Sequence, residues 1–425
     1  MQSVYQTAAA KAFIWAFFLL VAVPTVTMAN TKFGLPVKPS LSYAVIALGL
    51  AVAALLRRKD LAFRGARTFF FAFAILVVTG GILYRGEFIA HGYDVPMLAD
   101  SIPSNIGYVM WPALNLVAAL GLFCLAADAR YRRTIVHAAF AALVLQALTM
   151  EADMWWPAIF GDANGRGGGI AQNANVAAIL VVVLTSLLLP TRLGEHLDSY
   201  AISAMLLMIV ALFLSQSRTG LIAGAICLTC FGFAGLKATM RVPSLALGAA
   251  VLAGLICTVW LSPVLNTTPE QVAQRQQERL DNAAARSKAG DLAPAIVDTP
   301  ITLQERFETR VFESVGLRVR AFEFFLGLAK DRPFGFGTGF TNGFQTGPHN
   351  SFLKLAVDEG ILAALCLVAM LCATTIRAIS MRSPALLSIS MTVWLAALLF
   401  HTVPIDPFFT PALAIGLGSV SDRRE

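Results

Sequence analysis

Charge is scarce in this chain. Only 13% of its 425 residues are Asp, Glu, Lys or Arg, where a soluble domain carries roughly 25%. With 57% hydrophobic residues and a mean hydropathy of +0.71, that shortage excludes an ordinary soluble protein and implies an integral membrane protein. Histidine is rare, with five in all, and the six cysteines (Cys124, Cys227, Cys230, Cys257, Cys366 and Cys372) fall inside apolar runs. The polar segments hold no cysteine, so no disulfide framework stabilises them. Cys227 and Cys230 have C-x-x-C spacing, but no second Cys or His pair lies near, which leaves membrane packing as their reading. No internal repeat or low-complexity tract is visible, so an inverted-repeat transporter has no sequence support. The run Gly165-Arg166-Gly167-Gly168-Gly169 does not fit the phosphate-cradling pattern G-x-x-x-x-G-K-[ST], so ATP and nucleotide-sugar chemistry lack their usual loop. The apolar runs are nearly free of charge, and no ion pathway shows in them.

What the chain has in abundance is apolar runs near the roughly 20 residues that a helix needs to cross a bilayer. Twelve stand out: 12–29, 40–56, 68–84, 107–127, 134–151, 174–190, 199–215, 219–236, 244–262, 356–376, 385–403 and 408–420. The last is short and interrupted by Pro411 and Gly416. The first is preceded only by Lys11 and contains Pro24, so it reads as a retained helix and not a secretory signal. The expected fold is all-α: a polytopic integral membrane protein of about 12 transmembrane helices, forming one transmembrane domain over 1–425 with no soluble appendage.

The formal net charge of +7 is explained by its distribution. Threading the twelve runs from a cytoplasmic N-terminus places Arg57, Arg58, Lys59, Arg64, Arg67, Arg130, Arg132, Arg133, Arg192, Lys237, Arg241, Arg377, Arg382, Arg423 and Arg424 on one side. The short loops opposite hold little beyond Lys32, Lys38, Arg85 and Arg166. This is the positive-inside asymmetry. Both termini are therefore expected in the cytoplasm of a bacterial inner membrane, and the basic excess reports topology and not nucleic-acid binding.

Under that threading, the long polar segment 263–350 between the ninth and tenth runs faces the periplasm. Residues 268–289 are polar all round, which fits a solvated helix or disorder. Residues 302–330 read as an amphipathic helix with Phe307, Val311, Val315, Phe322, Phe325 and Leu328 roughly on one face, suited to lying on the outer surface of the membrane domain. From Asp331 to Phe340 a proline and three alternating glycines demand a turn-rich loop.

Few residues can carry chemistry. Arg218 sits in Ser215-Gln216-Ser217-Arg218-Thr219-Gly220 at the junction of two runs. It is either a snorkelling, turn-capping arginine or a guanidinium fork for an anion such as phosphate. Arg318 and Arg320, two apart on the loop helix, point to different faces, so at most one aims into a site. His349 lies where the polar loop returns to the membrane, where a neutral imidazole can take a proton from a hydroxyl.

The order of these motifs resembles the O-antigen ligase superfamily, which includes O-antigen polymerases and bacterial protein O-oligosaccharyltransferases. The matching residues are Arg218, then Arg318 with Phe322 four residues on, Pro333-Phe334-Gly335-Phe336-Gly337, His349-Asn350-Ser351-Phe352-Leu353, and Glu359-Gly360-Ile361. Gly169 to Ala177 also looks like the family's segment in which an Asn-x-Asn pair opens a span. One departure is Phe322, where the family usually has tryptophan.

The resemblance implies a GT-C-type glycosyltransferase. Its donor would be O-antigen on undecaprenyl diphosphate, and its acceptor a sugar hydroxyl of lipid A–core. His349 would be the base, Arg218 and Arg318 the cations for the diphosphate, and Arg320 the substitute for Arg318. Arg166, Asn173, Asn175 and Asn350 would be substrate contacts. No metal and no cofactor is expected. The ligase reading leads, with O-antigen polymerase and protein O-oligosaccharyltransferase as alternatives and a non-enzymatic transporter of lipid-linked glycans as the reading from another class.

Overall fold

The computed structural model describes residues 2–56, 65–85, 87–89, 101–103, 105–155, 160, 167–193, 195, 198–235, 321–344, 348–399 and 403–421. The ninth apolar run, Arg166, Arg318 and Arg320 lie outside the described residues, as does most of the large loop up to residue 320.

The described chain is built almost wholly of helices. It opens with α1 (Gln2–Ala16), which continues as a π-helical turn (Phe17–Ala22) into α2 (Thr25–Thr31). There follow α3 (Pro39–Leu55), α4 (Arg67–Ile82), a small antiparallel pair β1 (Glu87–Ile89) and β2 (Ser101–Pro103), α5 (Gly107–Ala127) and α6 (Ala129–Trp155). Next come a 3-10 turn (Gly169–Ala171), α7 (Ala174–Leu187), α8 (Ser199–Ser215) and α9 (Arg218–Gly235). After the undescribed stretch come α10 (321–331), a second 3-10 turn (Phe340–Gly343) and α11 (Ser351–Asp358). The chain closes with α12 (Ile361–Ser380), α13 (Pro384–Leu399) and α14 (Phe409–Ser421).

By length and composition, three of these helices can each cross a membrane alone: α5, α6 and α12. The segment Gln6–Ala22 with Thr25–Phe33 makes a fourth if counted as one span, bent by 47° at Pro24. Pro24 lacks the N–H that would continue the ladder, which is where helices kink. The other apolar runs that fall on described residues are also helical, but α3, α4, α7, α8, α9, α13 and α14 are shorter. At 1.5 Å per residue, the 14 residues of α7 rise to only about 21 Å, against a hydrocarbon core of about 30 Å. The tenth run also differs in extent from its expected 356–376. Gly360, at φ +90°, separates α11 from α12, so the membrane-length helix begins at Ile361.

Exposed apolar side chains run in stripes along these helices. On α3, Leu41, Val45, Leu48, Val52 and Leu55 are all exposed, a helical spacing that lipid, and not water, accommodates. The buried sides pack through small residues. A β-carbon on Gly121 of α5 would meet the backbone of Leu50 in α3 at 2.7 Å, and one on Gly418 of α14 would run into the carbonyl of Phe123. Close backbone approach of this kind is how helices associate in membranes. Hydroxyl pairs add hydrogen bonds between helices, as between Ser186 and Ser388 at 2.7 Å.

The two ends of the bundle differ. At one end, the Leu193 N–H donates to the Arg382 carbonyl, the Ala385 N–H donates to Pro190, and Arg132 Nη2 donates to the Ser419 carbonyl. Arg130, Arg133 and Arg192 lie at this end as well. At the opposite end, the Gly167 N–H donates to the Leu214 carbonyl, Gln172 Nε2 donates to Thr31 Oγ1, and the Thr338 N–H donates to the Leu83 carbonyl. The polar motifs lie there.

Candidate active site

At the motif-bearing end, the glycine run is fastened to its neighbours. The Gly167 N–H donates to the Leu214 carbonyl at 3.0 Å. Buried Asp153 accepts from the Gly169 N–H at 2.6 Å and the Phe160 N–H at 2.9 Å. Gln146 Nε2 donates to the Gly168 carbonyl at 3.0 Å. Gly169 has φ +54°, and a β-carbon there would stand 2.7 Å from Gln146 Nε2, so the position needs glycine. Asn173 then caps α7, its side-chain oxygen accepting from the N–H groups of Asn175 and Val176.

The S-Q-S-R turn is joined to this cap. Ser217 Oγ donates to Asn175 Oδ1 at 2.8 Å and accepts from the Gly220 N–H at 3.1 Å. Gln216 adopts the left-handed conformation at φ +49°, ending α8. Ser217 is thereby an N-terminal cap for α9, and Arg218 is the first residue of that helix and is exposed. A guanidinium beside the positive end of a helix suits an anion.

The second half of the site begins with α10. Phe325, Leu328 and Ala329 are buried there in a small core with Phe336, Phe340, Leu353 and Val357. Phe322 was expected on the same face, but it is 46% exposed. Ala321 occupies the inner position one turn before Phe325 instead. The glycine loop then runs along the end of α11. The Phe336 N–H donates to Val357 and the Gly337 N–H to Asp358, at 2.9 and 2.8 Å. Thr338 ties the loop to α4 through its hydroxyl, which donates to the Gly80 carbonyl at 2.6 Å.

His349 is exposed and stands two residues before α11. Asn350 is the cap of that helix and accepts from the Leu353 N–H at 3.0 Å. Its oxygen therefore has a structural task that fixes the backbone beside His349. α13 packs against both α9 and α11, which makes it the scaffold shared by the Arg218 and His349 segments. Phe352 and Trp394 form part of that contact, with ring centroids 5.5 Å apart.

Sequence reasoning missed a buried charge cluster behind His349. Lys354 and Asp358 form an ion pair at 3.1 Å, with side chains only 7% and 3% exposed. Lys354 Nζ also donates to Thr341 Oγ1 at 2.7 Å and Asn342 Oδ1 at 3.1 Å. Asp358 accepts from the N–H and hydroxyl of Thr341 at 2.8 and 3.1 Å. Next to it lies Glu359, buried, with one carboxylate oxygen that has no hydrogen-bond partner. Burial pushes its carboxyl up to about 8, with Asp358 adding to the rise and Lys354 opposing it. These residues line a cavity of about 20 Å³ with Tyr108, Ser351, Thr338 and Pro404, room for about one water. The i,i+4 spacing of Lys354 and Asp358 was the one available signal. Among the described residues, no group of three or more His, Cys, Asp or Glu side chains is placed to hold a metal ion.

The fold and site define a helical, membrane-type protein whose polar, turn-rich end displays an arginine at the start of one capped helix and a histidine just before another. Residues 203–368 match the family model described as O-antigen ligase. The matched region holds Arg218, the glycine loop, His349 and the Lys354–Asp358 cluster. No curated protein and no solved structure matches the chain.

Proposed function

We propose that this protein is an O-antigen ligase of the bacterial inner membrane. It moves O-antigen polysaccharide from undecaprenyl diphosphate to a sugar hydroxyl of lipid A–core on the periplasmic face. The observation that carries this reading is the exposed His349 at a capped helix start, inside a region that matches the O-antigen ligase family and also contains the helix-initiating Arg218.

His349 takes the proton of the acceptor hydroxyl. The oxygen then attacks the anomeric carbon of the donor, and the bond from that carbon to the diphosphate oxygen breaks. Negative charge develops on the leaving undecaprenyl diphosphate, where fixed cations contribute most. Arg218 takes that role with Arg318, or with Arg320 in its place. Arg166, Asn173, Asn175 and Asn350 are the proposed substrate contacts. A single displacement inverts the anomeric configuration. The diphosphate donor supplies the driving force, and neither a metal nor a cofactor takes part.

The test is transfer with purified protein, undecaprenyl-diphosphate glycan and lipid A–core, with EDTA present and ATP absent. The expected result is product from the wild type and none from a folded His349→Ala variant. Elongated lipid-linked glycan from the donor alone, without lipid A–core product, would make the protein a polymerase.

A further inference from the structure

Lys354 is in an unusual position for a lysine on a short amphipathic helix. Its ammonium points inward, 7% exposed, and makes three contacts that do not belong to one local turn. One is to Asp358 on its own helix. The other two reach back to Thr341 and Asn342 in the 3-10 turn at Phe340–Gly343. The fourth neighbour is the ring of Tyr108 on α5, whose centroid lies 5.2 Å from Nζ. A cation over an aromatic face and beside a carboxylate is held from several directions.

Lys354 thus ties α11 to the 3-10 turn at Phe340–Gly343 and to α5. The start of α11 is also capped from within: Asn350 Oδ1 accepts from the Leu353 N–H, and the Lys354 N–H donates to the Asn350 carbonyl at 3.0 Å. That cap shapes the first turn of the helix, whereas the Lys354 and Asp358 side chains set where the turn stands against its neighbours. His349 stands immediately before the cap and follows the placement of that turn.

We propose that Lys354, paired with Asp358, is a positioning residue for His349: it fixes the start of α11, from which the imidazole is presented, and touches no substrate itself. This inference rests on the reading of His349 as the base. The pair is buried, and removing one partner alone leaves a charge without its counter-ion. Losing the tether misplaces the base without removing it, and displacements of about 1 Å at a reacting group cost on the order of 100-fold in rate.

The experiment uses the full chain in lipid nanodiscs and compares wild type, Lys354→Arg, the charge-free double variant Lys354→Met/Asp358→Leu, and His349→Ala. Hydrogen–deuterium exchange is read on peptides covering 341–353 and 361–380, and transfer kinetics on the same preparations. In the double variant, exchange over 341–353 rises while 361–380 stays as in wild type. Its kcat falls roughly 10- to 100-fold, with KM for the lipid-linked donor within about twofold. Lys354→Arg, which keeps a cation, recovers most of the rate. Unchanged exchange over 341–353 would overturn the proposal, as would faster exchange with undiminished kcat. A fall expressed only in KM would make Lys354 a binding residue and would also overturn it. If wild type transfers no glycan, the functional reading fails and takes the positioning role with it. A wild type that transfers while His349→Ala is equally active removes the base and the role of Lys354 together.

Discussion

Gly335 and Gly360 meet backbone to backbone. A β-carbon on Gly335 would lie 2.6 Å from the Gly360 nitrogen and the Asp358 carbonyl oxygen, and one on Gly360 would lie 2.8 Å from the Pro333 oxygen. Both residues have positive φ, +84° and +90°. The Ile361 N–H donates to the Pro333 carbonyl at 2.9 Å across this contact. The glycine loop and the break between α11 and α12 are thus a single piece of structure.

Substituting either glycine by alanine is expected to be costly twice over. The left-handed conformation costs a β-carbon about 1–2 kcal/mol, and the atoms it would meet belong to the backbone and cannot rotate away. We expect Gly335→Ala and Gly360→Ala each to lower stability by at least about 2 kcal/mol, seen as a lower melting temperature in detergent. A variant that melts with wild type would show that the close approach is not maintained in solution.

The pH dependence of stability should carry the signature of Glu359. Its folded-state carboxyl is raised to about 8 from an ordinary value of 4.5. Between those values the folded protein keeps a proton that the unfolded chain has lost, so stability falls as pH rises and levels off above about 8. The slope is about 1.4 kcal/mol per pH unit for a single group, which places the penalty at pH 7 on the order of a few kcal/mol. Glu359→Gln removes the titration. Its melting temperature should exceed that of wild type at pH 8 and converge with it near pH 4. Parallel curves across that range would show that Glu359 is ionised in the folded state.

Much of this arrangement was legible in the sequence, but not the inward side of it. The apolar runs mark the helices because lipid-facing and buried residues are both apolar. Pro333 and the alternating glycines mark a loop because no helix tolerates them. The S-Q-S-R turn and the His349-Asn350 entry to α11 are likewise written in local residue types. Burial of Lys354 is not, because a lysine between apolar neighbours reads as solvated until Thr341 and Tyr108 are brought beside it. Phe322 was misplaced because α10 turns Ala321, and not its neighbour, toward the small core. The boundary at Gly360 was missed because the apolar run was counted from Ala356, across Asp358 and Glu359, although Glu359-Gly360-Ile361 carried the signal. Membrane crossing is the coarsest part of the reading, since hydropathy finds apolar segments but length decides which span.

Asn115 is expected to be a structural centre between α3, α5 and the turn before α14. It is fully buried, accepts from the Tyr43 hydroxyl at 2.6 Å, and donates to the carbonyls of Pro404 and Asp406 at 3.0 Å each. Asn115→Leu leaves all of these groups without a partner in an apolar interior, at about 1–3 kcal/mol for each stranded group. Tyr43→Phe removes one donor and should cost only about 1 kcal/mol. Thermal unfolding of the two variants should rank them in that order. Equal effects would mean that the carbonyls find other donors.

Arg218 separates charge from shape at the proposed diphosphate site. It is exposed at the first position of α9, and the turn that presents it is held by Ser217 and Asn175. Arg218→Ala should therefore leave the melting temperature near that of wild type while lowering transfer by roughly 100-fold or more, the usual scale for losing one fixed donor to a developing anion. Arg218→Lys keeps the charge but loses the planar fork, so an intermediate rate is expected. Ser217→Ala makes the complementary change: it keeps the guanidinium and removes the bond to Asn175. Rates for these variants should fall in the order wild type, Arg218→Lys, Arg218→Ala, with Ser217→Ala losing stability as well. An Arg218→Ala protein that transfers at the wild-type rate would remove Arg218 from the diphosphate site and leave it a residue of the turn alone.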